Sequence, residues 1–212
     1  TPTYQWYSNA TNSNTGGTTI ASATSATYAP PTTTVGITYY YAQLTFGTTG
    51  TCTTVSSNPA KIEVVSVATI TTQPEALQSI CVGGTTNPLT VAFAGGTGTA
   101  AYQWYSTPTN SNSGGTAIAG ATAASFTPPA NTTAGDYYYY SVVTLTGSIC
   151  GSSISSTVAQ VRVVADPVIT SQPVTSQILC QNATPTNLTA TISGGIGTTA
   201  TYQWFRNTTN SN

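Results

Sequence analysis

Four cysteines, at positions 52, 81, 150 and 180, carry the covalent chemistry available to this 212-residue chain. They fall into two classes by surroundings. Cys81 and Cys180 follow segments containing Gln, whereas Cys52 and Cys150 sit in turns of Thr, Ser and Gly. None belongs to a C-x-x-C pair and the chain has no His, so zinc lacks ligands. Disulfides formed in an oxidising, extracellular setting are the chemistry to expect. Acid–base catalysis is poorly provided for, because it needs a positioned His or carboxylate, and the only carboxylates are Glu63, Glu75, Asp136 and Asp166. Hard cations need clustered oxygens, and the polar loop 107–115 holds Asn and Ser but no Asp or Glu. The expectation is a non-enzyme, with no catalytic residue, no cofactor and no metal.

The elements that place these residues recur. Tyr102-Gln103-Trp104-Tyr105 follows Tyr4-Gln5-Trp6-Tyr7 by 98 residues and precedes Tyr202-Gln203-Trp204-Phe205 by 100. Each copy leads into the same Thr-Asn-Ser-Asn run, at 11–14, 109–112 and 209–212. A period this long is a whole small domain. Repeat positions also weigh against a site. Asp136 has Ile37 as its counterpart and reads as a turn hydrogen-bonding residue beside Gly135. Glu63 and Arg162 occupy equivalent places with opposite charge, as exposed positions can.

Composition excludes other classes. A formal net charge of -1 offers no footprint for nucleic acid or an anionic membrane, and little repulsion between neighbouring copies. No apolar run approaches the length of a membrane span. The 13 Tyr, 3 Trp and many Val and Ile argue for packed strands rather than a disordered linker.

The middle repeat reads as short strands joined by turn chemistry. A strand over 67–71 breaks at Gln73-Pro74, and 77–82 follows as a second edge segment. Leu89, Val91 and Phe93 alternate on one side of the next strand, and Tyr102 and Trp104 share a face of the one after. The longest strand, 137–146, puts Tyr139, Ser141, Val143 and Leu145 on one side and Tyr138, Tyr140, Val142 and Thr144 on the other. Seven or eight such strands in roughly 98 residues predict an all-β, antiparallel sandwich, repeated in tandem. The expected domains are 1–65, the later strands of one repeat; 66–165, a complete repeat; and 166–212, the first strands of a third.

These residues resemble the immunoglobulin-like fold. Trp104 lies where that fold buries its strand-C tryptophan, and Ala134 to Ser141 is similar to the tyrosine-corner approach to strand F. By that resemblance Val91 and Ser141 (Ala42 in the preceding repeat) stand where the inter-sheet disulfide would be, and its loss removes a staple of about 2–4 kcal/mol. Trp6, Trp104, Trp204 and Tyr139 are then expected to anchor the core by burial. More narrowly, Ile-Cys-Val-Gly-Gly, Tyr-Gln-Trp-Tyr-Ser, Pro-Pro, Tyr-Tyr-Tyr and the closing Val-x-Val-Val resemble the Ig-like repeats of giant Bacteroidetes cell-surface proteins. The resemblance implies an exported adhesin or filament.

Two surface features follow. The outward face of each repeat is expected to carry Tyr105, Tyr138 and Tyr140 with Gln103, and Tyr7, Tyr39 and Tyr41 with Gln5. That face either stabilises an exposed sheet or serves as a Tyr-rich contact stripe. In an immunoglobulin-like topology Cys81 falls near the A–B turn and Cys150 near the F–G turn, toward opposite poles. Bridges are therefore expected to cross junctions between successive domains, with the partners of both cysteines outside this stretch.

The expected function is mechanical: a structural repeat segment of an extracellular bacterial surface filament or adhesin stalk, partnered by neighbouring copies of itself. The alternative is a module that binds surface glycans through the outer Tyr and the loop Asn and Ser. Thr1–Asn14 and Thr199–Asn212 match in role. One continuous polypeptide of repeats, or subunits completing one another's half-sandwiches by strand addition, would both account for that.

Overall fold

Alternation along Gly135–Thr146 builds the longest strand and sets the two faces of the domain around it. The computed structural model describes residues 1–47, 54–197 and 199–209. These contain 17 strands and no helix among the described residues. The chain divides into two compact units, residues 1–69 with the turns 94–99 and 147–152, and the remainder.

The first unit contains β1 (Thr3–Asn9), β2 (Thr18–Thr19), β3 (Gly36–Thr45), β4 (Thr54–Ser56) and β5 (Ala60–Val64). They form one sheet in the order β2-β1-β3-β4, with β5 also on β3. Ala42 is buried on β3, and Trp6 on β1 is half-buried.

The second unit holds a sandwich. Its strands are β6 (Thr69–Thr72), β7 (Leu77–Cys81), β8 (Leu89–Thr90), β9 (Ala92–Ala94), β10 (Thr99–Thr107), β11 (Thr116–Ala117), β12 (Ser125–Phe126), β13 (Gly135–Thr146), β14 (Ser153–Ser155) and β15 (Ala159–Val164). One sheet runs β11-β10-β13-β15-β7, and the pairs β12-β8 and β6-β9 make the other layer. Pro74 explains the division of the first edge. Having no N–H to donate, it ends β6 in one layer, and the chain crosses to resume as β7 in the other. There β7 runs parallel to β15, Val161 opposite Gln78 and Val164 opposite Cys81, a parallel pair in a domain expected to be antiparallel.

The core between the layers is one cluster of Leu89, Val91, Trp104, Tyr139, Ala159, Val161 and Val163. Trp104 is 0 % exposed, and its indole N–H donates to the Ala123 carbonyl at 3.0 Å. Phe126 bridges it to Tyr139, with ring centroids 5.7 and 5.6 Å away. The first unit repeats the ladder as Trp6–Tyr28–Tyr40 and the indole bond as Trp6 to the Ser25 carbonyl.

Two sequence expectations need correction here. The Tyr137 hydroxyl donates to the Thr133 carbonyl at 3.0 Å, which is the tyrosine-corner bond. In that corner the half-cystine position lies two residues on, so Tyr139, not Ser141, takes that place, in the same core cluster as Val91. An aromatic ring in the core cluster replaces the sulfur bridge. Asp136 is not a turn residue: directly opposite Arg162 on β15, it accepts from the guanidinium at 2.9 Å.

The last stretch supplies β16 (Val168–Ser171) and β17 (Thr191–Ser193), an antiparallel pair with a register shift between Ile169 and Ser171. Trp204 departs from the expectation of a buried anchor: it is 52 % exposed, in a segment, 202–206, that forms no strand.

Candidate contact face and domain junction

The Tyr-rich outer face is built by local chemistry that the tyrosines themselves complete. Tyr105 on β10 and Tyr140 on β13 stack with centroids 5.1 Å apart, and Tyr140 is only 3 % exposed. The Tyr140 hydroxyl accepts the Gly115 N–H at 3.1 Å, so the loop after β10 folds back over the ring. A Cβ on Gly115 would lie 2.7 Å from the Ser106 carbonyl oxygen and 2.9 Å from the Tyr140 ring, which leaves room for glycine alone. The loop is tied at its other end by Asn112, whose amide donates to the Ser156 carbonyl at 2.9 Å. The first unit reproduces each part: Tyr7 on Tyr41, Gly17 to the Tyr41 hydroxyl, and Asn14 to the Ser57 carbonyl.

This arrangement revises the expected contact stripe. Tyr140 and Tyr41 are buried, while Tyr105, Tyr138, Tyr7 and Tyr39 are half-buried. Gln103 does not project as a contact group either. Its amide donates to the Trp104 and Ile118 carbonyls, both at 2.8 Å, and Gln5 does the same for Trp6 and Ile20. The Gln before each Trp thus satisfies the backbone where β10 meets β11.

Ser156 and Ser57 were missed by sequence reasoning. The Ser156 hydroxyl accepts the buried Ser141 N–H at 2.9 Å and donates to the Thr157 carbonyl at 2.8 Å; Ser57 does the same for Ala42 and Asn58. They carry the ladder past the break between β14 and β15. The signal was the Ser-Ser pair recurring at 56–57 and 155–156.

Four of the charged side chains make two surface pairs. The guanidinium of Arg162, with help from Gln160, holds the Asp136 carboxyl below its ordinary range, and Asp136 raises Arg162 in return. Glu63, 2.6 Å from the Lys61 ammonium, raises Lys61. Burial pushes the Tyr139 phenol up. Among the described residues no three metal-ligating side chains gather.

A Gly-Gly turn tied back to an earlier carbonyl is the second recurring construction. Gly96 N–H donates to the Ser66 carbonyl at 2.8 Å, and Gly195 N–H donates to the Ala165 carbonyl at 2.7 Å. Gly95 and Gly194, at φ +76° and +80°, precede these donors, and a Cβ on either would collide with the carbonyl of Val67 or Asp166. Beside the second of these turns lies a cleft of about 530 Å³ lined by Cys81, Pro167, Ile192, Gly194, Gly195 and Ile196. Cys81, Cys150 and Cys180 are unpaired, and Cys52 lies outside the described residues.

A tyrosine corner, a buried tryptophan on β10 and two packed layers of strands define an immunoglobulin-like β-sandwich. The chain belongs to the family described as Domain of unknown function (DUF8696), which matches residues 1–66 and 70–165. Among solved structures, Sidekick-1 immunoglobulin domains 1–5 match at 16% identity and a TM-score of 0.36, over 82% of this chain and 36% of that one. Sidekick-1 immunoglobulin domains 1–4 match at 16% identity and a TM-score of 0.36, over 81% and 45% respectively. The chain therefore spans less than half of either structure. No curated protein sequence matches it significantly.

Proposed function

We propose that this chain is a non-enzymatic structural segment of an extracellular bacterial surface filament or adhesin stalk. Its repeats work by stacking end to end and associating laterally. Residues 66–165 are one complete repeat, with 1–65 and 166–212 the later and earlier strands of its neighbours. The observation that carries this is the recurrence of the junction: the same backbone bond, Gly96 to Ser66 and Gly195 to Ala165, beside a glycine that admits no side chain. The outer-face groups that a glycan would need, Tyr140, Gln103 and Asn112, are already engaged inside the domain, which favours the structural reading over the binding one. The resemblance to Bacteroidetes surface repeats supports export, and the near-zero net charge permits close association of copies.

Single-molecule extension of the native protein under reducing conditions tests this. Equal unfolding steps are expected, each releasing about 330 Å of contour for a repeat of about 98 residues at ~3.4 Å each. Unequal steps, or electron micrographs of isolated particles instead of strings, would overturn it.

A further inference from the structure

The first unit carries half of a sandwich core. Trp6, Ile62 and Val64 are half-buried, at positions where the middle repeat buries Trp104, Val161 and Val163. Among the described residues β5 pairs with β3 alone, whereas β15 also carries β7. A cleft of about 280 Å³ opens beside β5, with Thr33, Thr34, Thr38, Tyr40, Ile62 and Val64 on its walls. A strand shaped to cover it lies later in the chain. Residues 175–182 repeat 76–83, with Gln177 for Gln78 and Cys180 for Cys81. The Gln177 amide donates to the Thr186 carbonyl at 2.9 Å and accepts the Thr186 N–H at 2.8 Å, as Gln78 does with Asn87. The Ala183 N–H closes a turn on the Cys180 carbonyl, as Gly84 does on Cys81. Yet Leu179 is 48 % exposed, where its counterpart Ile80 packs against the core.

We infer that residues 175–182 of one copy add as a parallel strand to β5 of a second copy and cover its half-core. The inference rests on the repeat-array function above and names the partner, another copy of this chain. The middle repeat supplies the register. There Val161 stands beside Gln78 and Val163 beside Ile80, which places Gln177 beside Ile62 and Leu179 beside Val64. The edge bonds there are Gln160 N–H to the Ala76 carbonyl and Val82 N–H to the Val164 carbonyl. Their equivalents run from Lys61 to Thr175 and from Gln181 to Val65. Replacements come on both sides of the contact together. Val82 and Tyr137 pack against the middle core, whereas their counterparts Gln181 and Thr38 are both polar, and Thr38 lines the cleft with Thr33 and Thr34. On the outer face Asp136, Arg162 and Ser79 stand in one row across three strands. The pair sets Ile37, Glu63 and Ile178 in that row, laying the stem of Glu63 against an isoleucine that is 98 % exposed in the single chain. Because the Gln177 clamp and the turn already shape the added strand, little ordering is needed on docking.

Sedimentation of the 212-residue chain over a concentration series tests this. The contact is heterologous, so copies should add in series as concentration rises, dimer, trimer and beyond. Leu179→Asp sets a charge against the apolar half-core and should leave a monomer. Its near-ultraviolet circular dichroism should match the wild type, because Leu179 is exposed in the single chain. Lys61→Pro removes one donor from the strand edge, where Pro is tolerated, and should weaken association up to about tenfold. Mixed at a concentration where neither associates alone, the two variants should form a 1:1 dimer that grows no further. Leu179→Asp retains an intact β5 and Lys61→Pro an intact added strand. A wild-type monomer at every concentration, or Leu179→Asp assembling as the wild type does, would overturn the contact. Micrographs of the native material keep the two ideas apart: strings beside a monomeric purified chain refute the contact alone, whereas isolated particles refute the array.

Discussion

The ring of Tyr140 lies on that of Tyr105 with planes 9° from parallel, and the pair Tyr41–Tyr7 repeats it at 8°. Both buried hydroxyls accept an N–H from the loop that crosses over them, from Gly115 and Gly17. The face thus consists of a tyrosine stack with its own polypeptide lid.

The lid depends on a missing side chain. Gly115→Ala places a Cβ 2.7 Å from a carbonyl oxygen and should destabilise the domain by about 1–3 kcal/mol, as overpacking does. Tyr140→Phe, which removes only the acceptor, should cost about 1 kcal/mol. Urea titrations of the two variants check both values. Equal stability of Gly115→Ala and wild type would mean the loop does not pack as described.

The two tryptophans differ by environment, and truncation should expose that. Trp104→Ala removes a fully buried side chain from the centre of the core and should cost about 3–5 kcal/mol. Trp204→Ala, at 52 % exposure in this chain, should change stability by less than about 0.5 kcal/mol. Thermal unfolding of this 212-residue chain separates them.

Ser156 and Ser141 should respond in opposite directions. Ser156→Ala strips the partner from the buried Ser141 N–H and should destabilise by about 1–3 kcal/mol. The Ser141 hydroxyl is itself buried with no partner, so Ser141→Ala should be neutral or stabilising, by up to about 1 kcal/mol. A higher denaturation midpoint with an unchanged m-value is the expected signature.

Stability should be level across neutral pH and fall at the extremes, more steeply on the alkaline side. Asp136 has a depressed folded pKa from Arg162, so its contribution is present above the unfolded value of about 3.9 and is lost as pH falls through the folded one. Solvent screening of this surface pair keeps that contribution small. Tyr139 has a raised folded pKa from burial. Its contribution is complete below the unfolded value of about 10 and is lost as pH rises through the folded one. Melting temperature against pH for wild type and Tyr139→Phe checks this; the variant should lose part of the alkaline decline.

The sequence by itself determined the repeat and the all-β class. Strand alternation and the copies of Tyr-Gln-Trp are one-dimensional signals, and Leu89, Val91 and Trp104 lie buried where their period-2 pattern puts them. Only the tertiary structure decided what the remaining face does. Whether Tyr140 meets solvent or a loop depends on where residues 107–115 return, and that path is set by Asn112 reaching Ser156 across 44 positions. The tyrosine corner, through a bond that no periodicity encodes, marks Tyr139 as the half-cystine counterpart, and the ring joins Val91 in the core cluster. Period tells a strand which side is apolar; contacts between segments far apart in the chain tell it what covers the other.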